Sequence, residues 1–238
     1  MKSATFSLDP PPGFRPFDPH APVTLYHRRL PHWRQEGATY FVTFRLADSL
    51  PAEKLAQLES LKRDWANDLA TRRRDKDESD AENKAAWEEL SRNAFATVEH
   101  WLDLGMGHCL LREEGMRMRV KAALEHGEGD SAEVGAAVVM PNHVHLVVRP
   151  SGKESLETYL QRRKRHSARE INRICGRGGS LWQEESFDRI VRDADHLWRC
   201  LQYIGRNPRK AGLPDHEFTR WVHPVWVEKG WSFIDDEL

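Results

Sequence analysis

Val138 to Val148 reads VVMPNHVHLVV, two apolar runs joined through Pro-Asn. Pro141 presets φ for a turn and Asn142 tolerates the less common backbone wells, so the stretch is strand, tight turn, strand. Side chains alternate along a strand, which puts His143 and His145 on one face and Val144 on the other. Two imidazoles side by side on a stiff strand make half of a metal site. A pair of partly exposed histidines beside a turn would spell the same letters, so the chemistry needs a second element.

Outward from this hairpin, Ala38 to Leu46 (ATYFVTFRL) alternates Tyr40, Val42, Phe44 and Leu46 against Phe41, Thr43 and Arg45. Apolar residues on both faces predict a central strand. Residues 134–139 and 143–149 form the hairpin strands, and Ser186 to Val191 is a further short strand. Arg112 to His126 and Glu154 to Ile174 have helical spacing, the second with Gly176 as its stop. Strands paired antiparallel and interleaved with helices give an α+β fold with a single sheet.

Residues 52–102 stand apart. Leu55, Leu58, Leu61, Trp65 and Leu69 recur at helical spacing after Pro51, as do Trp87, Leu90, Ala94, Val98 and Trp101. Between them Arg72 to Lys84 is too polar to pack, so two helices fold back as an inserted hairpin. The run Arg72–Arg74 reads as a solvated helix end.

The second element is Leu201 to Leu213, LQYIGRNPRKAGL. Asp193 or Asp195 can cap a helix that is expected to end before Pro208. Leu197, Cys200, Leu201 and Ile204 make its apolar stripe, and at 100° per residue Tyr203 falls at the edge, about 60° from Cys200. Asn207 continues that line one turn on. A boundary tyrosine of this kind is common packing on its own.

Taken in order, MPNHVHL, then LWQ..SFD..VRD, then YI..NP.KAGL resemble the REP-associated tyrosine transposases, within the single-tyrosine HUH superfamily. The likeness runs from about Tyr26 to Leu213, with 52–102 as an insertion. It implies a ferredoxin-like antiparallel sheet backed by helices on one face, with the histidine strand in the middle. It implies that His143 and His145 are metal ligands, Asn207 the third ligand, and Tyr203 the nucleophile. The cofactor would be Mg²⁺ or Mn²⁺; a mixed nitrogen and oxygen donor set tolerates Mn²⁺ the better. The reaction would nick single-stranded DNA that carries hairpin repeats, leave a 5′-phosphotyrosine, and rejoin it to a new 3′-OH. Gln183 and Asp188 match the pattern without an assignable role. The family is divided on oligomeric state; a monomer is expected, with a homodimer as the alternative. Two other function classes stay open, a metal-dependent phosphodiesterase without a covalent intermediate and a DNA-binding protein that has lost catalysis.

Composition neither adds to this nor opposes it. A net charge of −1 with 31% charged residues gives no global nucleic-acid signal, so DNA contact must be local. QRRKRH, from Gln161 to His166, offers Arg162, Arg163, Lys164 and Arg165 as phosphate contacts, against the plain reading of a solvated face. Tyr159, on the same helix, is the rival nucleophile, and its place in the apolar stripe assigns it to the core. The three cysteines fit neither a disulfide framework nor a zinc site. No apolar run approaches a membrane span, and a cytoplasmic, nucleoid-associated location is expected. Residues 1–23, with six prolines, read as a flexible leader, and 214–238 as an aromatic tail outside the domain.

Overall fold

The computed structural model describes residues 8–27, 31–74, 80–127, 129–152 and 154–234. In chain order its elements are β1 (Thr24–His27), β2 (Pro31–Arg34), β3 (Tyr40–Arg45), α1 (Ala52–Arg74), α2 (Asp80–Asp103), α3 (Glu114–Glu125), β4 (Ala132–Val139), β5 (His143–Pro150), α4 (Leu156–Ile174), β6 (Phe187–Ile190), α5 (Ala194–Lys210), β7 (Thr219–Val222) and α6 (Pro224–Glu228). They fall into two units, one running to Ala47 and resuming at Leu110, the other Asp48–Cys109.

The second unit is the expected helical hairpin, α1 packed on α2. Leu58, Ala94, Val98, Trp101 and Leu102 are the buried apolar positions of its two helices among the described side chains. Its two ends meet at Asp48, which accepts hydrogen bonds from the backbone N–H (3.0 Å) and the ring of His108 (2.7 Å). Burial would raise the Asp48 carboxyl, but these His108 contacts outweigh it and hold it below its usual range. The centre of the polar stretch, 75–79, and the side chains of Arg72–Arg74 lie outside the described residues.

The first unit holds a five-stranded sheet, ordered β6-β3-β5-β4-β7, with every neighbouring pair antiparallel. Without β7 this is the ferredoxin-like order, and β5, the histidine strand, is central. Tyr40, Val42 and Phe44 of β3, with Val144, Leu146 and Val148 of β5, turn to one face, where Val120 and Leu124 of α3 and Leu156, Tyr159, Leu160 and Ile171 of α4 close over them. That layer is the apolar core. The expectation of helices on one face only needs correction: α5 packs against β4 and β5 through Leu197, Cys200, Leu201 and Ile204. These residues lie outside the α3–α4 core cluster, and Tyr203 of α5 touches Phe41 and His145, which face away from it.

Helix α5 also runs on past its expected end. Asp193 caps it through the His196 N–H, 2.6 Å away, and Pro208 sits inside its last turn. A proline's φ is already helical, so its cost is confined to one lost bond and crowding of the preceding turn. Burial of Asn207 and Pro208 holds the pre-proline residue helical. The end is then closed by Gly212 at φ +67°, with Leu213 donating to the Pro208 carbonyl at 3.0 Å.

The two ends of the chain are part of this unit. Residues 9–18, expected to be flexible, are hydrogen-bonded to it: Arg15 N–H to Thr39 Oγ1 at 3.0 Å and Phe17 N–H to the Val191 carbonyl at 2.9 Å. The tail, read as lying outside the domain, supplies β7 and buries Trp226 and Trp231. Trp226 lies over Gly135, where a Cβ would meet its ring at 2.1 Å. Both indoles donate to the leader, Trp226 to the Pro12 carbonyl (3.0 Å) and Trp231 to that of Asp9 (2.8 Å).

Candidate active site

Strand register builds the site. Pairing of β3 with β5 sets Thr43 opposite His145 and Arg45 opposite His143, so four polar side chains share one sheet face. Residues facing each other across antiparallel strands have Cβ atoms about 5 Å apart, close enough for a direct bond. His145 Nδ1 lies 2.8 Å from Thr43 Oγ1. His143 Nδ1 lies 2.8 Å from Oδ1 of Asn142, the turn residue before it. The remaining nitrogens converge, with Nε2 to Nε2 at 3.0 Å. All of these residues are buried, and His145 has no exposed surface.

Tyr203 comes from α5 and meets this cluster within the same chain. Its ring stands edge-on to His145, centroids 5.2 Å apart, and edge-on to Phe41 at 5.8 Å. Phe41 stacks on His145 at the same distance, 5.8 Å. Tyr203 stays half-buried, so the packing that fixes its ring leaves part of it accessible. Tyr159 is a core residue: fully enclosed, its hydroxyl donates to the Leu124 carbonyl at 2.9 Å.

Asn207, one turn beyond Tyr203, is buried, and neither its Oδ1 nor its Nδ2 has a hydrogen-bond partner among the described residues. A buried amide without a partner is costly. Two buried imidazoles whose Nε2 atoms lie 3.0 Å apart, and a buried amide oxygen with no hydrogen-bond partner among the described residues, suit a divalent cation with mixed nitrogen and oxygen preference.

Two arginines border the face. Arg45 is buried, and burial pulls its guanidinium down to about 10, opposed by the more distant Glu185. Arg189, exposed on β6, lies over the Phe41 ring at 5.0 Å and reaches the Cys200 thiol, one turn before Tyr203. Neither was singled out from sequence, nor was Thr43 or Asn142 as a partner of the histidines. Alternation puts Phe41, Thr43 and Arg45 on one face, but only the pairing register reveals which histidine each one meets.

The basic run on α4 is elsewhere. Lys164 approaches Phe44, a residue of the opposite sheet face, at 5.9 Å. Arg163 is corrected from a phosphate contact to an internal one: it is buried, donates to Ser131 Oγ at 2.7 Å and lies 4.9 Å over the Tyr159 ring. Arg162 is exposed and paired with Glu154 at 2.8 Å. Lys164 donates to the Glu184 carbonyl at 2.8 Å. With Arg165 it lines a cleft of about 370 Å³ that also takes in Arg34, Trp182 and Asp188. Asp188 has a structural partner, a two-point ion pair with Arg34 (2.5 and 3.0 Å) that fastens β2 to β6. No described helix is long and apolar enough to cross a membrane.

Comparison with known proteins gives one family. Residues 110–207 match the family model described as "Transposase IS200 like". No curated protein matches the chain. Among solved structures, a REP-associated tyrosine transposase bound to a REP hairpin aligns at 16% identity with a TM-score of 0.41, over 80% of this chain and 76% of that one. It is along residues 110–207, the segment that carries both histidines, Tyr203 and Asn207, that this chain matches the IS200-like transposases.

Proposed function

We propose that this protein nicks and rejoins single-stranded DNA containing short hairpin repeats, through a 5′-phosphotyrosine on Tyr203. The observation that carries the reading is the edge-on contact of Tyr203 with His145, 5.2 Å between ring centroids, beside a second imidazole whose Nε2 points to the same place. His143, His145 and Asn207 would hold Mg²⁺ or Mn²⁺. When bound, that cation offsets charge on the phosphodiester and favours the phenolate of a group whose ordinary pKa is near 10.

The chain's own residues do the rest. Phe41 and the apolar stripe of α5 fix the tyrosine ring, so attack is intramolecular once DNA is bound. Tyr203 Oη forms a bond to phosphorus as the P–O3′ bond breaks. The electron pair leaves with O3′, which takes a proton to become a 3′-OH, and the phenolic proton is lost to solvent. Reversal by a new 3′-OH rejoins the strand, with the bond energy kept in the phosphotyrosine. Arg189 supplies a cation for the non-bridging oxygens near Tyr203. Because nucleophile and histidines meet within one chain, a monomer suffices.

The test is denaturing electrophoresis of end-labelled hairpin DNA in Mn²⁺. Wild type and Tyr159→Phe should give a protein–DNA adduct, and Tyr203→Phe none. An adduct lost only in Tyr159→Phe would reassign the nucleophile. Cleavage without adduct in all three would mark a phosphodiesterase, and no cleavage at all a binding protein.

A further inference from the structure

The cleft between α4 and the loop leading into β6 has no part in the chemistry proposed above, and its walls are unlike those of a phosphate site. Arg34 is neutralised there by Glu157 and Asp188. Lys164 donates to the Glu184 carbonyl at 2.8 Å, and the carboxylates of Glu184 and Glu185 add further negative charge. What the cleft offers instead is an apolar floor with amides beside it. Leu160, Leu181 and Trp182 form the floor. The side chains of Gln161 and Gln183 border it, and neither amide has a hydrogen-bond partner among the described residues. Each presents two donors and an acceptor side by side. At about 370 Å³ the space is that of a small-molecule site, apolar with a few placed polar groups.

Resting on the DNA-processing reading above, we infer that this cleft takes one unpaired adenine from the single strand beside the hairpin stem, and that Gln161 and Gln183 read its edge. A base has a flat apolar face for the floor and a polar rim for the amides. Glutamine pairs with adenine through N6 and N7, its oxygen accepting and its nitrogen donating. Cleft and candidate site are also joined by one loop. The Gln183 N–H donates to the Arg45 carbonyl and the Ala47 N–H to that of Leu181, both at 2.9 Å, so residues 181–183 cross the end of β3 that carries Arg45. Beyond the loop, β6 sets Asp188 opposite Val42, toward the cleft, and Arg189 opposite Phe41, toward Tyr203. A DNA strand held at Tyr203 therefore has only the edge strand β6 to cross on its way to the cleft. Arg165, exposed at the mouth, can meet the phosphate of the same nucleotide.

The experiment measures binding of the full chain, without divalent metal, to hairpin oligonucleotides of one stem whose single-stranded flanks are dA, dC or abasic. Wild type should hold the dA flank about 10-fold tighter than the abasic one. That ratio should be the same at low and high salt, since a base contact releases no counterion. Gln161→Ala with Gln183→Ala should bring it to about one. Gln183→Glu keeps the shape but loses the donors, and should turn the preference from dA to dC, whose N4 amino group a carboxylate accepts from. Thermal melts check that the variants fold. Equal wild-type affinity for all flanks, or a dA preference that survives the double substitution, overturns the base site and leaves the cleavage reading standing. A dA preference that fades with salt would mark a phosphate contact and overturn the role of the amides. Failure of wild type to bind any of the hairpins overturns both readings. If the double variant does not fold, Gln183→Glu decides alone, and an unaltered preference there overturns the base site.

Discussion

The two faces of the sheet differ in kind. Toward α3 and α4 the central strands present Val42, Phe44, Val144, Leu146 and Val148, a closed apolar layer. Toward α5 the same strands present Phe41, Thr43, Arg45, His143 and His145. One residue's shift along either strand would exchange the layers, which is why the alternation is so strict in both. The apolar packing is concentrated on the first face and the candidate site on the second. Buried polar groups are tolerated on the second face because each imidazole Nδ1 has an oxygen partner.

This division can be tested by substitutions that touch one face at a time. The largest effect should come from His143→Ala with His145→Ala, which abolishes DNA cleavage and Mn²⁺ binding; unchanged cleavage would remove the metal assignment. On the opposite face Leu146→Ala, the residue after His145 on β5 and pointing the other way, should cost about 2–5 kcal/mol of stability while the folded fraction still binds Mn²⁺. Chemical denaturation and metal titration of the two variants should give opposite patterns. If Leu146→Ala loses metal binding while folded, the faces are not independent.

A smaller effect should appear on acidification. Burial, followed by the charges of Arg189, Arg192 and Arg199, lowers His196 to about 4 from its ordinary 6.5, with Asp193 opposing. Its Nδ1 accepts from the Arg192 N–H at 3.1 Å, which needs the neutral ring. The unfolded chain takes up a proton below pH 6.5 that the folded chain refuses until about pH 4. Stability is therefore fully present above 6.5 and lost as pH falls through that window, by roughly 3 kcal/mol at most. His196→Gln should flatten this part of the pH–stability curve; an unaltered slope would assign the loss to other groups.

The smallest effect concerns α4. Arg162→Ala with Arg165→Ala should reduce the salt dependence of single-strand binding by about 0.7 per lost phosphate contact on a log–log slope. Arg163 is left out because its guanidinium is internal. A slope that does not move would make this helix face plain solvated surface and leave DNA contact to the α5 side.

Much of this was legible in the sequence because it is local. Period-two alternation gave β3 and β5, the three-and-four spacing of Leu197, Cys200, Leu201 and Ile204 gave the buried stripe of α5, and Asp193 gave its cap. What escaped is non-local. Nothing near Gly135 announces that Trp226 lies on it, nor does Gly205 show that a Cβ there would meet the Phe233 ring at 2.8 Å. QRRKRH gives no sign that its second arginine turns inward to Ser131 and Tyr159. Pro208 misled because the rule against residues preceding proline in a helix weakens where burial holds the last turn.

The strand β7 has a consequence for how the chain behaves as it folds. It covers the outer edge of β4 along Ala136–Val139, pairing these with Thr219–Val222. Along Ala136–Val139 that edge is apolar and carries neither charge nor proline to discourage pairing with a foreign strand. Until residues 219–222 dock, the edge is an open template for self-association. The docking partner lies some eighty residues downstream in the chain, and such distant closures come late in folding. A chain cut after Leu213 would keep both histidines, Tyr203 and Asn207 and would be expected to precipitate before their chemistry could be assayed.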